Sequence, residues 1–344
     1  MANFNSIKIS AMLMFFIFVS CKKKEIGPQN INDSNQDEYF FDVVIGCEGN
    51  FGFANGSVSV YNRSNFQLVN NYFDQINNFV LGDVVQFIEE INGEIFIVVN
   101  NSGKVEVVDS SDLLSKSTIT GFQSPREINQ INTDFAYVTD LYSNSIQLVD
   151  LHNKSIVSSI EVSGWTESIL VEDTFAYVTC PDHDLVYKIN TNNHLIADSL
   201  VVGDNPMNIV LDKNNQLWVL CAGSWGMNNG SLERIEITNF SHQETISLLA
   251  SPSNLCKDSN GENLFWLDNG VQKMNVDQSG VINEEVSSNG KNFYGLSIHD
   301  LSGEIFVTDA VDYVQSGWVY RYSSSGALLD SINTGIIPQA LFFK

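Results

Sequence analysis

An apolar phrase of six residues returns about every 40 residues, the period of one four-stranded propeller blade. Clear copies are Glu94-Ile95-Phe96-Ile97-Val98-Val99, Phe135-Ala136-Tyr137-Val138-Thr139-Asp140 and Phe175-Ala176-Tyr177-Val178-Thr179-Cys180. Three more are Gln216-Leu217-Trp218-Val219-Leu220-Cys221, Asn263-Leu264-Phe265-Trp266-Leu267-Asp268 and Glu304-Ile305-Phe306-Val307-Thr308-Asp309. Each is a short apolar run between polar turn residues, which suits a strand buried on both faces near a central channel. A loop and a second strand follow, as in Ser145-Ile146-Gln147-Leu148-Val149-Asp150, and then a more polar outer strand such as Ile156-Val157-Ser158-Ser159-Ile160-Glu161-Val162. No segment carries a helical period.

Blades are predicted to begin near Val43, Val84, Glu127, Glu167, Met207, Asn254 and Tyr294. The first lacks an innermost strand, while Ile337-Pro338-Gln339-Ala340-Leu341-Phe342-Phe343 is an apolar strand without a partner. Joining the two closes the ring and leaves no free sheet edge. The predicted fold is therefore all-β, a seven-bladed propeller of four-stranded antiparallel blades closed by the C-terminal strand, with six blades as the competing count.

Residues before the first blade are set apart. Lys8 precedes the apolar run Ala11 to Val19, too short for a comfortable permanent span but suited to a signal h-region. Phe18-Val19-Ser20-Cys21 resembles a bacterial lipobox, with Cys21 as the lipidated residue. Residues 1–20 are thus predicted to be a lipoprotein signal peptide, 21–42 a lipidated flexible tether and 43–344 the propeller. The modification implied by that resemblance carries several acyl chains, enough for membrane attachment without a spanning helix. Lys22 after Cys21 resembles an outer-membrane sorting pattern, and Lys22-Lys23-Lys24-Glu25 a surface-export tether.

Charge narrows the partners. The formal net charge of −24 repels phosphate backbones and anionic headgroups, so nucleic acid is excluded. Cys47, Cys180, Cys221 and Cys256 form no C-x-x-C pair, which argues against a zinc or redox motif and for mostly buried free thiols.

The repeat also carries a resemblance. Ala136-Tyr137-Val138-Thr139 and Ala176-Tyr177-Val178-Thr179 resemble the YVTN repeat of surface-layer-type, YncE-like propellers. Glu48-Gly49-Asn50-Phe51-Gly52, Ser124-Pro125-Arg126, Gly164-Trp165-Thr166-Glu167 and Asp309-Ala310-Val311-Asp312-Tyr313 resemble a DUF5074-like group of outer-membrane propeller lipoproteins, across essentially all of the mature chain. Some members of that group are cell-surface vitamin B12 binders that pass cobalamin to a TonB-dependent transporter. The resemblance therefore implies a binding function at the cell surface, with a small nutrient, cobalamin foremost, and such a transporter as partners.

In a propeller the loops between second and third strands, and those between blades, gather at one end of the channel and converge on one ligand. The first set places Asn50, Phe51, Asn101, Asp140, Tyr142, His183, Trp225, Asp312, Tyr313 and Gln315 at that end. Loops between blades add Arg126, Trp165, Glu167, Phe293 and Tyr294. Rings cover flat apolar area while amides, acids and Arg pair with amide or hydroxyl edges, so cobalamin or an oligosaccharide would suit such a face. Against this, Asn and Asp are common in turns for backbone reasons alone, and the rings could simply pack the mouth.

Catalysis has little support. Of five histidines only His183, between Asp182 and Asp184, falls on the predicted face, where an ordinary solvated turn is the stronger reading. H-E-x-x-H, G-x-S-x-G and glycine-rich phosphate loops are absent. The expectation is a binding protein with no cofactor and no metal. The rival readings are a structural or protein-interaction propeller of the envelope, and a lactonase-like hydrolase that would need an acidic metal cluster in the channel.

Overall fold

The computed structural model describes residues 41–224, 226–227, 229–248 and 250–344. The predicted signal peptide, Cys21 and almost all of the predicted tether lie outside the described residues.

Seven four-stranded antiparallel sheets follow one another around a ring, as the repeat predicts. Blade 1 is ordered Pro338–Phe343, Val43–Cys47, Ser57–Asn62 and Gln67–Val69 from the axis outward. Blade 3 shows the regular form, running Pro125–Gln130, Phe135–Asp140, Ser145–Asp150 and Ser155–Glu161. The remaining inner strands are Val85–Ile91 (blade 2), Ile169–Glu172 (blade 4), Pro206–Leu211 (blade 5), Ser253–Lys257 (blade 6) and Phe293–Ile298 (blade 7).

The apolar phrase is the second strand of each blade, and it is buried almost throughout, whereas an outer strand such as Leu195–Val201 is mostly open to solvent. Sheets pack face to face, so the core is a set of wedges between neighbouring blades. One wedge sets Phe96, Val98, Val105 and Val107 of blade 2 against Ile128, Ala136, Val138 and Val149 of blade 3. Burying an aliphatic or aromatic side chain of this kind is worth about 1.5–3 kcal/mol. The phrase therefore dominates the stability of each wedge.

The C-terminal strand closes the ring by pairing antiparallel with the first one, Val43 opposite Phe343 and Ile45 opposite Leu341. A charged chain reinforces the seam with blade 7. Arg63 Nε lies 2.6 Å from Asp42 Oδ2 and its Nη1 3.3 Å from Glu304 Oε2, and Arg321 Nη2 holds the same Glu304 carboxylate at 2.7 Å.

One element departs from the all-strand reading. Tyr72–Asn77 is a helix of six residues leading from blade 1 towards blade 2, flanked by Asn71 and Asn78 in left-handed conformations. Six residues are too few to show a helical period, and tertiary packing of the buried Tyr72 and Phe73 with Leu81 and Leu113 accounts for it. Cys47, Cys180 and Cys221 are buried free thiols at the ends of second strands, and Cys256 is a partly buried one.

Candidate functional site: the channel mouth

Inner strands carry the polar groups of the channel because their register breaks where they enter it. In blade 3, Pro125 pairs with Asp140 but Ile128 pairs with Val138, which leaves Arg126 and Glu127 as a bulge. Equivalent shifts free Gln86, Met207, Asn254-Leu255, Tyr294-Gly295 and Gln339 in five other blades. A bulge turns a side chain out of the pleat and re-aims it. All of these but Gly295 line one cavity of about 1140 Å³ along the axis.

The threonine of the repeat fastens the bulges. Thr139 Oγ1 accepts the Glu127 N–H (3.0 Å) and donates to the Glu167 carbonyl (2.6 Å) of the next blade. Thr179 and Thr308 receive the N–H groups of Ser168 (2.9 Å) and Gly295 (2.7 Å) in the same way. The Tyr-Val-Thr phrase therefore supplies both core and the support of the site.

A charged cluster sits on blades 3 and 4. Arg126 grips Glu167 with Nε to Oε2 at 2.7 Å and Nη2 to Oε1 at 2.5 Å, while Nη1 donates to Gln86 Oε1 at 2.7 Å. Trp165 Nε1 donates to Glu167 Oε2 at 2.6 Å. Beside them Glu127 Oε2 accepts from Ser168 Oγ (3.0 Å) and the Ile169 N–H (2.9 Å). Burial pushes the Glu127 carboxyl up to about 8, the charge of Glu167 adding to the rise. On the blade 1 side Glu48 accepts from Tyr294 Oη at 3.1 Å, and burial pushes its carboxyl up to about 7.

Of the residues predicted for the mouth, Phe51, Arg126, Trp165, Glu167, Phe293, Tyr294 and Tyr313 line the cavity. Tyr294 and Tyr313 meet edge to face at 5.7 Å, and Asn50 Nδ2 holds the Tyr313 carbonyl at 2.9 Å. The others have carboxylates or amides committed elsewhere, or stand apart. Asp140 accepts from the N–H groups of Gln123, Ser124 and Tyr142 and fixes its turn. Asn101 donates to Asp83 Oδ2, and Asp312 holds Val314 and Gln315 of its own loop. Tyr142 is exposed, and His183 ends the short 3-10 turn Pro181–His183. Trp225 lies outside the described residues. Glu48, Gln86, Glu127, Asn254 and Gln339 line the cavity but were not predicted as site residues. The one available signal was a polar pair, as in Arg126-Glu127, at the start of an otherwise apolar strand. Among the described residues, no group of three or more His, Cys, Asp and Glu is placed to hold a metal ion.

Residues 42–342 match the family described as "Domain of unknown function (DUF5074)". The chain belongs to the DUF5074 family. No curated protein matches it. Among solved structures, this DUF5074 propeller is similar to a quinonprotein alcohol dehydrogenase-like protein from Bacteroides thetaiotaomicron, at 16% identity and a TM-score of 0.69, over 86% of this chain and 78% of that one. It is also similar to hydrazine synthase of Kuenenia stuttgartiensis, at 17% identity and a TM-score of 0.64, over 74% and 88% of the two chains. A third is virginiamycin B lyase of Staphylococcus aureus, at 11% identity and a TM-score of 0.60, over 76% and 88%. At such identities the likeness is one of fold: DUF5074 shares the propeller with proteins of diverse chemistry.

Proposed function

We propose that this protein is a receptor that captures a small nutrient in its channel mouth, with cobalamin as the leading ligand. The observation that carries the reading is the cavity itself. At about 1140 Å³ it exceeds the range usual for drug-sized ligands, roughly 300–1,000 Å³, and its rim combines rings with amides and carboxylates. Such a rim suits a large ligand with flat apolar area and an amide border. Lipidation at Cys21 would tether the propeller to the outer membrane, facing the cell surface, and a TonB-dependent transporter would receive the ligand.

The rim also favours a partner at that end. Phe51 and Phe53 are 74% and 75% exposed and Val314 66%, an apolar group beside the mouth where a transporter would meet the bound nutrient. Titration with cyanocobalamin tests the reading. Saturable binding at micromolar concentration is expected, lost in Trp165→Ala with Tyr313→Ala. No binding would remove cobalamin as the ligand. A protein complex disturbed by Phe51→Ser and Phe53→Ser, with no small molecule bound, would favour an interaction propeller instead.

A further inference from the structure

We propose that the inner channel selects ligands that present N–H donors and carry zero or positive charge, and that Glu48 and Glu127 are the residues that set this selectivity. The inference rests on the receptor reading of the same cavity and names the ligand chemistry that reading leaves open.

Amide orientation provides the first argument. Asn100 Nδ2 donates to the Pro125 carbonyl at 3.0 Å, Asn129 Nδ2 to the Ile169 carbonyl at 3.4 Å and Asn254 Nδ2 to the Tyr294 carbonyl at 2.6 Å. Each bond ties one blade to the next. A flipped amide would set two carbonyl oxygens against each other, so these bonds fix the orientation. Three cavity-lining amides have thus committed a donor and keep Oδ1, which no group among the described residues donates to, as an acceptor for a ligand.

Charge gives the second. Glu48, Glu127 and Glu167 all line the cavity, against the single cation Arg126. Arg126 is already engaged by Glu167 on two nitrogens and by Gln86 on the third. It therefore offers little to an incoming anion. Glu48 has Tyr294 Oη on Oε1, and Glu127 has both its bonds on Oε2, so each keeps an oxygen without a protein donor among the described residues. Gln86 and Asn208 run the other way, each using its oxygen as an acceptor and leaving its NH₂ unbonded among the described residues. Donors and acceptors among the amides thus offset each other, and the charge decides: a cation or a primary amide completes the ionised carboxylates where an anion would be repelled.

Benzamidine, benzamide and benzoate test this directly, because they share one ring and differ in the charge and donors of the end group. Binding is measured by titration at pH 9, above the values to which burial pushes the Glu48 and Glu127 carboxyls, so that both are ionised while benzamidine stays cationic, and at moderate salt, which screens the diffuse attraction of the −24 surface for cations. Benzamidine should bind most tightly, benzamide next, and benzoate at least tenfold more weakly than benzamidine. Glu127→Gln and Glu48→Gln should each weaken benzamidine at least tenfold, whereas the exposed Asp198→Asn, which removes the same charge, should leave it unchanged. Gln keeps an oxygen for the Ser168 and Ile169 donors, so the fold is preserved. Benzoate binding as tightly as benzamidine, no binding of benzamidine at millimolar concentration, or equal loss in Asp198→Asn would each overturn the proposal. Failure of cyanocobalamin alone would strike the nutrient reading and leave this order of preference standing.

Discussion

Arg126 and Glu167, on the channel sides of neighbouring blades, form a two-pronged ion pair, Nε to Oε2 at 2.7 Å and Nη2 to Oε1 at 2.5 Å. Their side chains are 16% and 9% exposed, so the pair is one of the least hydrated in the chain. It clamps blade 3 to blade 4 at the height where a ligand would enter.

Breaking the clamp from one side should cost more than removing it. Arg126→Met leaves the Glu167 charge without its partner, and a loss of about 3 kcal/mol is expected, as for other pairs broken on one side. In the double variant with Glu167→Gln much of that loss should return. Urea denaturation of the two single variants and the double one gives the coupling, and strict additivity would show that the pair does not act as a unit.

Thr139→Val tests the support of the bulge. Valine keeps the volume but leaves the Glu127 N–H and the Glu167 carbonyl without their partner. The expected destabilisation is about 1–3 kcal/mol, the cost of a buried unsatisfied group. A melting temperature equal to that of the parent would show that channel water replaces the hydroxyl.

Stability should fall as the pH rises. Burial holds the Glu127 carboxyl at about 8 against an ordinary 4.5, and Glu48 and Glu89 at about 7. Because the folded state binds these protons more tightly, the stability they contribute is full below about 4.5 and is lost as the pH passes through about 7 to 8. Unfolding free energy measured across that window should decline, and less steeply in Glu127→Gln. An equal slope in that variant would assign the decline to general surface repulsion.

Removing Pro338–Phe343 should open the ring. Val43–Cys47 would lose its inner partner and expose a row of backbone donors and acceptors, an edge that invites pairing with another chain. Size-exclusion chromatography should show oligomers or aggregates, accompanied by a lower and broader thermal transition. A monomer that melts like the full chain would mean that closure adds nothing.

The sequence alone determined the architecture. The 40-residue return of Phe135–Asp140 and its copies reports burial on two faces, and burial is written in local apolar content, so the blades could be counted and the orphan strand at 337–343 matched to the first blade. Six residues at Tyr72–Asn77 were too few to announce a helix. Tertiary structure decided which polar groups meet. Asp140 and Asp312 serve their own turns, whereas Glu48, Glu127 and Gln339 reach the channel because a register shift, or a partner some 250 residues away such as Tyr294, places them there. Hydrophobic period is a property of neighbours in the chain. A site in a closed ring is a property of neighbours in space, and no local pattern encodes it.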